Sequence, residues 1–296
     1  MNARAEVTVA VATLDRPDGL RRCLTALAEG TLRPAEVVVV DQGSGAEGAV
    51  AAARQAGLEV VHLRQERRGL AASRNAAWAR AAQPFVAVTD DDCVPDAGWV
   101  AALARAFAAA DAPDAVTGRV LPLGADEPGL YAVSSRTGAA RADFAGRALP
   151  WLVGTGGNFA LRREWLARVG RYDERLGAGT PGGAGEDMDL LYRLLRAGAR
   201  IRYEPEAVVY HERQTRPRRL ATRASYGRGI GACCGLWLRG RDLHALAILG
   251  QWLVMRARLL VGAARRGRWS AAREEILVLA GTAGGLLYGL RGGRTA

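Results

Sequence analysis

Phe85-Val86-Ala87-Val88-Thr89-Asp90-Asp91-Asp92-Cys93 is the stretch on which the reading of this chain turns. Five residues of apolar, strand-forming sequence run directly into three consecutive carboxylates. Aspartate is a poor strand former, and three adjacent negative charges repel one another. At the end of a buried strand such a triplet needs compensation. A divalent metal supplies it, as does a metal carrying a phosphate-bearing ligand. An acidic turn in open water is the bland alternative, and the sequence on either side argues against it.

Upstream, apolar runs alternate with amphipathic segments. Residues 7–12 read as a buried strand that ends in Thr13-Leu14-Asp15-Arg16-Pro17. Asp18 is placed to cap a helix whose inner face is Leu20, Cys23, Leu24 and Leu27. Residues 37–40 form a second strand stopping at Asp41, residues 49–56 a helix, and residues 58–63 a third strand. Arg67 to Asn75 opens a helix reaching Ala82, and residues 85–89 are the fourth strand. This alternation predicts an α/β protein with a parallel, three-layer sheet. Such sheets place ligands at the carboxyl ends of their strands, where Thr13, Asp15, Asp41 and Asp90 to Asp92 all stand. A nucleotide site fits that edge. The glycine fingerprint of dinucleotide-binding oxidoreductases and the lysine-bearing phosphate loop are both missing after the first strand, which disfavours those two enzyme classes.

Downstream, residues 99–110 read as a helix and 115–121 as a strand. Residues 124–150 lack periodicity and read either as a lid over the site or as a surface excursion. Gly154-Thr155-Gly156-Gly157-Asn158 is a turn running into a strand, and its glycines allow close backbone approach to a ligand. Glu186-Asp187-Met188-Asp189 opens a helix over 186–197 with the apolar stripe Leu190, Leu191, Leu194 and Leu195. Asp187 lies three and four residues before that stripe, hence on its inward face. There it is either a functional carboxylate or a capping charge held by the helix amides. Residues 201–203 and 207–210 read as two short strands, the second ending at His211.

The chain has 296 residues, of which 49% are hydrophobic, so a disordered chain is excluded and a substantial core is expected. It contains no lysine, and its net charge of +11 is unevenly placed. Residues 1–211 hold 25 Arg against 26 Asp and Glu, whereas residues 212–296 hold 16 Arg against 4. The basic excess belongs to the tail, which implies an anionic partner for the tail and not for the body. Residues 1–212 are thus expected as one α/β domain and 213–296 as a basic, apolar, helical extension. Its apolar runs, 243–254 and 276–290, fall short of the ~20 residues a spanning helix needs. Helices lying in a membrane interface, or packed on the body, fit better. Arginines near an anionic bilayer contribute ~1 kcal/mol each. Nucleic acid is the competing anion, but alternation with long aliphatic runs favours lipid. Four cysteines without a Cys-x-x-Cys, and no secretory leader in the first residues, suggest a reducing compartment and the cytoplasmic face of a membrane.

Taken together, the ordered motifs at residues 9–17, 37–44, 69–75, 89–95, 156–161, 186–198 and 205–211 resemble the family 2 glycosyltransferases with a GT-A fold, over about residues 6–212. The resemblance implies a mostly parallel Rossmann-like sheet and a nucleotide-sugar donor. It implies Thr13, Asp15, Asp41 and Arg74 around that donor, with Asp90 and Asp91 beside it. Asp90 and Asp92 would hold Mn²⁺ or Mg²⁺ as the Asp-x-Asp region, with His211 completing the metal shell. Gly157 and Asn158 would lie near the transferred sugar, and Asp187 would be the general base. The implied activity is inverting transfer to a lipid-linked or cell-envelope glycan acceptor, with no nucleic-acid partner. A catalytically silent module that holds a sugar nucleotide in a membrane glycan-assembly complex is the alternative.

Overall fold

Valine-rich runs become the centre of the sheet. β1 (Arg4–Thr13), β2 (Arg33–Asp41), β3 (Val60–Arg64) and β4 (Phe85–Asp90) lie in the order β3-β2-β1-β4, all parallel. Val37 to Val40 are completely buried, as β-branched residues covered on both faces of a parallel sheet should be. α1 (Pro17–Glu29), α2 (Ala46–Gln55) and α3 (Leu70–Arg80) link these strands, and Leu20, Cys23, Leu24 and Leu27 face inward as the spacing requires. Asp18 is not the cap of α1. Pro17, whose ring presets a helical φ, occupies the first turn behind Arg16, and Asp18 pairs with Arg21 instead. The structure, a computed structural model, describes residues 4–293.

Beyond β4 the sheet is mixed. β5 (Cys93–Pro95) follows the acidic triplet, α4 (Trp99–Ala108) buries Trp99 and Leu103, and β6 (Ala115–Pro122) comes next. β7 (Leu130–Tyr131), β8 (Ala142–Phe144) and the short helix α5 (Pro150–Val153) precede β9 (Asn158–Arg162) and the short helix α6 (Trp165–Val169). β9 runs antiparallel between β4 and β6. β10 (Ile201–His211) is parallel to β6, and its other edge pairs antiparallel with β8 and β5. It is one strand and not the two read from the sequence. Pro205 has no N–H for the ladder, so the register slips between Glu204 and Val208 and the strand continues. Residues 124–150 are fastened to β6 and to this edge of β10. Val120 and Arg136 exchange two backbone bonds of 2.9 and 3.0 Å, Tyr203 donates to the Gly138 carbonyl at 2.6 Å, and Arg202 grips Asp143 at 2.8 Å. α7 (Glu186–Arg196) follows, with Leu190, Leu191, Leu194 and Leu195 buried.

Two compact units make up the chain. The first takes in the residues up to Arg68, Ala72–Arg171 and Leu190–Arg213, and so holds the sheet. The second takes in Gly69–Ala71, Tyr172–Asp189 and the chain from Gln214 onward. Its elements are β11 (Gln214–Thr215), α8 (Arg216–Arg239), α9 (His244–Arg265) and α10 (Trp269–Leu290). Glycine spacing decides how α8 and α10 meet. A Cβ on Gly227 would lie 2.1 Å from the Val278 carbonyl oxygen, one on Gly231 2.1 Å from that of Thr282, and one on Gly285 1.9 Å from that of Arg228. The partners advance together along both helices, which therefore run parallel with backbones in contact. Small residues every fourth position allow this.

Ion pairs tie the same three helices. Arg219 meets Glu274 at 3.0 Å, Arg223 meets Glu275, and Arg256 meets Glu275 at 3.3 Å, with both glutamates buried. Much of the basic cluster near residue 220 is therefore spent inside the unit. α9 runs past the apolar stretch read from the sequence, through Arg256 and Arg258. Arg256 is absorbed by Glu275 and by the face of Trp252, 3.9 Å away. Among the described residues α9 is the one helix long and apolar enough to cross a membrane, judged by length and composition, contrary to the shortfall expected.

A methyl group at Gly285 has no room, whereas one at Gly284 meets nothing nearer than 3.6 Å. Overpacking costs about 1–3 kcal/mol, so Gly285→Ala is expected to lower the urea midpoint correspondingly. Gly284→Ala is expected to match or exceed the wild type, because alanine is the better helix former. Equal midpoints for the two variants would show that the helix pair relaxes freely.

Candidate functional site

Strand register brings the acidic triplet to its neighbours. Ala12 of β1 is level with Asp90 of β4, so Thr13 reaches Asp91, and its hydroxyl donates to Asp91 Oδ2 at 2.8 Å. On the other side Thr13 is level with Asp41 of β2. Asp41 Oδ1 accepts the Gly43 N–H at 2.9 Å, while its buried Oδ2 faces His62 Nε2 of β3 at 3.5 Å, too far for a good hydrogen bond. Asp15 has φ +53°, in the left-handed region, and its Oδ1 accepts the Ser44 N–H at 3.0 Å. Gly43 is needed there, since a Cβ would fall 2.3 Å from Asp15 Oδ1. The loops after β1 and β2 are thus locked together.

Each aspartate of the triplet has a basic partner. Asp90 pairs with the buried Arg74 of α3 at 2.7 Å. Asp91 lies 3.4 Å from Arg16, and burial, outweighing that arginine and the Thr13 hydroxyl, pushes its carboxyl up to about 6. Asp92 Oδ2 accepts from Arg16 at 2.7 Å, and the other end of the same guanidinium holds Glu212 at 2.6 Å. Arg22 also reaches Glu212. Arg16 and Glu212 escaped the sequence reading. An arginine beside Thr13 and Asp15 is the only trace of the pair in the sequence, and single arginines carry little information in a chain without lysine.

His211 arrives through the antiparallel pairing of β10 with β5, which sets it opposite Cys93. Its Nδ1 lies 2.8 Å from the Glu212 carbonyl oxygen. A carbonyl only accepts, so Nδ1 carries the proton, and a neutral ring turns the Nε2 lone pair toward Asp92 Oδ1, 3.5 Å away. Two lone pairs facing across that distance suit a cation between them. Ligand atoms of Asp92, Cys93 and His211 fall within 4.8 Å of one another. Burial holds the Cys93 thiol well above its ordinary pKa, so it is a neutral neighbour and a poor ligand. Asp92 and His211 therefore fit a hard divalent ion. Asp90 is engaged by Arg74 and Asp91 by Thr13.

Gly157 immediately precedes β9, and Asn158 opens it. A Cβ on Gly157 would stand 2.9 Å from Asp90 Oδ2, so the glycine lets this turn approach the triplet. Asn158 is completely buried. Its oxygen accepts from the Trp99 indole at 2.8 Å, and its nitrogen donates to the Arg119 and Ala207 carbonyls, each at 2.8 Å. Its amide bolts β9 to α4, β6 and β10.

Asp187 belongs to the second unit. Of the three acids that begin α7, Glu186 is buried and accepts the Gly185 N–H at 3.1 Å, and Asp189 is buried and accepts the Trp237 indole at 2.8 Å. Asp187 is half-buried and accepts the Met188 N–H at 2.8 Å. Spacing placed Asp187 on the inward face, but Glu186 and Asp189 are the buried pair, because each has a partner inside the unit, and Asp187 is the accessible carboxylate.

Asn158→Ala leaves one buried donor and two buried carbonyls without their partner. At about 1–3 kcal/mol for each unsatisfied group, it is expected to cost on the order of 3 kcal/mol or more, read by urea unfolding. A loss below about 1 kcal/mol would mean that water replaces the amide.

Residues 8–170 match the family model described as Glycosyl transferase family 2. The pre-mycofactocin glycosyltransferase of Mycobacterium tuberculosis is 32% identical over an alignment of 265 residues that covers 84% of this chain and 52% of that protein. The chain thus spans about half the length of the curated relatives it matches. Among solved structures, the mannosyltransferase PcManGT of Pyrobaculum calidifontis, in complex with GDP-Man and Mn²⁺, is similar with a TM-score of 0.62 and 20% identity, over 96% of this chain and 87% of that one. S. aureus TarS 1–349 in complex with UDP-GlcNAc is similar with a TM-score of 0.53 and 16% identity, over 72% and 59%. At these identities the solved structures speak for the fold, which is GT-A. With the family model covering more than half of its length, the chain belongs to glycosyl transferase family 2.

Proposed function

We propose that this protein is a metal-dependent, inverting glycosyltransferase. It moves a sugar from a nucleotide-sugar donor to a hydroxyl of a lipid-linked or cell-envelope glycan acceptor. The observation that carries the reading is Asp92 Oδ1 facing His211 Nε2 at 3.5 Å, beside two further aspartates held by Arg74 and Thr13. Asp92 and His211 would hold Mn²⁺ or Mg²⁺, a choice supported by the Mn²⁺ bound in PcManGT. Bound there, the ion would neutralise the diphosphate leaving group. Asp41 and Asp15, at the neighbouring strand ends, would line the nucleoside side. The two neighbours carry a guanosine and a uridine sugar nucleotide, respectively.

Asp187 would take the proton from the acceptor hydroxyl as the hydroxyl attacks opposite the leaving group, which inverts the anomeric centre. Its position supports this role: it is the least buried of three acids in the first turn of α7. The 32% identity to a pre-mycofactocin glycosyltransferase favours a second reading of the acceptor, as a molecule of that kind.

The second unit would seat the protein on the anionic cytoplasmic face of a membrane. Among the described residues, apart from Leu14 and Leu152, the exposed large apolar residues all fall between Leu243 and Leu290, with Leu246, Leu253, Val254, Leu259 and Val261 on α9. Arg258, Arg265, Arg266 and Arg268 are exposed on the same helix and just beyond it. An apolar surface bordered by cations suits an anionic bilayer.

Asp187→Asn is expected to keep donor binding while turnover falls ~10²–10⁴-fold. Undiminished turnover would remove Asp187 as the base. In co-sedimentation with phosphatidylglycerol vesicles, the double change Leu253→Glu and Val254→Glu in the full chain is expected to abolish most binding. Retention equal to wild type, or equal wild-type binding to neutral vesicles, would count against the membrane seat.

A further inference from the structure

Arg16 stands out among the groups around the triplet. Its Nη1 lies 2.7 Å from Asp92 Oδ2 and 3.4 Å from Asp91 Oδ1, while its Nη2 holds Glu212 Oε2 at 2.6 Å. Arg74, the partner of Asp90, is 3% exposed and so is fixed in the core, whereas the Arg16 side chain is 25% exposed. The Arg16 backbone is anchored, because its carbonyl accepts the Leu20 N–H at 3.0 Å as α1 begins. Arg16 is a long side chain on a fixed backbone, shared between two seats and more exposed than Arg74. Glu212 is also served by Arg22, so it does not depend on Arg16 for its counter-charge.

Resting on the reading that the site takes a divalent metal and a nucleoside diphosphate, we infer that Arg16 couples the two. Without ligands it is the internal counter-ion of Asp91 and Asp92. When a diphosphate arrives, the guanidinium turns its fork to the phosphate oxygens and leaves Asp92 to the metal. A cation entering alone meets carboxylates already neutralised by Arg16, and it is repelled by that charge. A diphosphate entering alone finds a guanidinium already engaged by Asp92 and Glu212. Each ligand removes the obstacle to the other, so their affinities rise together, and by linkage they rise by the same factor. The planar fork of arginine suits this exchange, since it matches carboxylate and phosphate equally well. No bond is made or broken in the exchange.

The test is Mn²⁺ binding to the purified full chain, read from the electron paramagnetic resonance signal of free Mn²⁺, with and without saturating UDP or GDP. In the wild type, one of the two diphosphates is expected to tighten Mn²⁺ binding about tenfold. Arg16→Gln is expected to bind Mn²⁺ alone several-fold more tightly than wild type, and to lose most of the tightening by nucleotide. Arg16→Lys, which keeps the charge without the fork, should lie between. Glu212→Gln, which leaves Arg16 to the aspartates alone, should weaken Mn²⁺ binding without nucleotide. Circular dichroism confirms the fold of each variant, and should Arg16→Gln not fold, Arg16→Lys and Glu212→Gln carry the test. Unchanged or weaker Mn²⁺ binding by Arg16→Gln, wild-type coupling in Arg16→Gln or Arg16→Lys, or tighter binding by Glu212→Gln overturns the inference while leaving the nucleotide site intact. A wild type that binds neither Mn²⁺ nor either diphosphate overturns the site reading and this inference together.

Discussion

Three carboxylates at the end of one buried strand must be matched by positive charge from elsewhere, and the first unit is arranged to bring it. Arg74 comes from α3 and Arg16 from the loop before α1, while the end of β10 sets the His211 ring beside Asp92. These elements are far apart in the chain, and the sheet delivers all of them to the same edge because β1, β4, β6 and β10 point the same way. The antiparallel strands then adjust the site locally. β9 sets Gly157 against Asp90, and β5 sets His211 beside Asp92 and Cys93. The compensation is uneven in exposure, since the Arg16 side chain is 25% exposed and that of Arg74 only 3%.

The second unit solves a different problem by different means. Its helices carry a strong positive excess and little acid, yet α8 and α10 touch along their backbones. Glycine at every fourth position removes the side chains that would hold them apart. Two buried glutamates, Glu274 and Glu275, take up arginines from α8 and α9. Buried ion pairs of this kind are weak sources of stability, and their value lies more in fixing which helix faces which. What remains on the outside is apolar residues of α9 and α10 and the arginines near their junction.

Much of this was legible in the residues. Valine runs marked the central strands, because burial on both faces of a parallel sheet leaves little choice of side chain. The polar residues just after those runs marked the edge where Thr13, Asp41, Asp90, Asp91, Asp92 and His211 gather, because parallel strands of like direction end on the same side. The stripe of α7 was plain from its 3.6-residue period. Local expectations failed where a neighbour overruled them. Pro205 looked like a strand break, but β6 on one side and β5 and β8 on the other carry β10 past it. Residues 124–150 looked loose because their partners, Val120, Arg202 and Tyr203, lie on other strands.

The sequence by itself therefore determined the central parallel strands, the edge at which they end and the acids that stand there, since each follows from periodicity and direction within a few residues. Only the tertiary structure decided the partners. The bond from Arg16 to Glu212 spans 196 positions, and that from Thr13 to Asp91 spans 78. It also assigned Asn158 to the interior, and it separated Asp187 from Glu186 and Asp189. Pairings of this kind depend on strand register and on which side chain reaches which gap. No local pattern encodes them, because the energy that selects them arises only when the desolvated groups meet. The triplet announced its need for charge in the sequence, and the fold chose Arg16 and Arg74 to meet it.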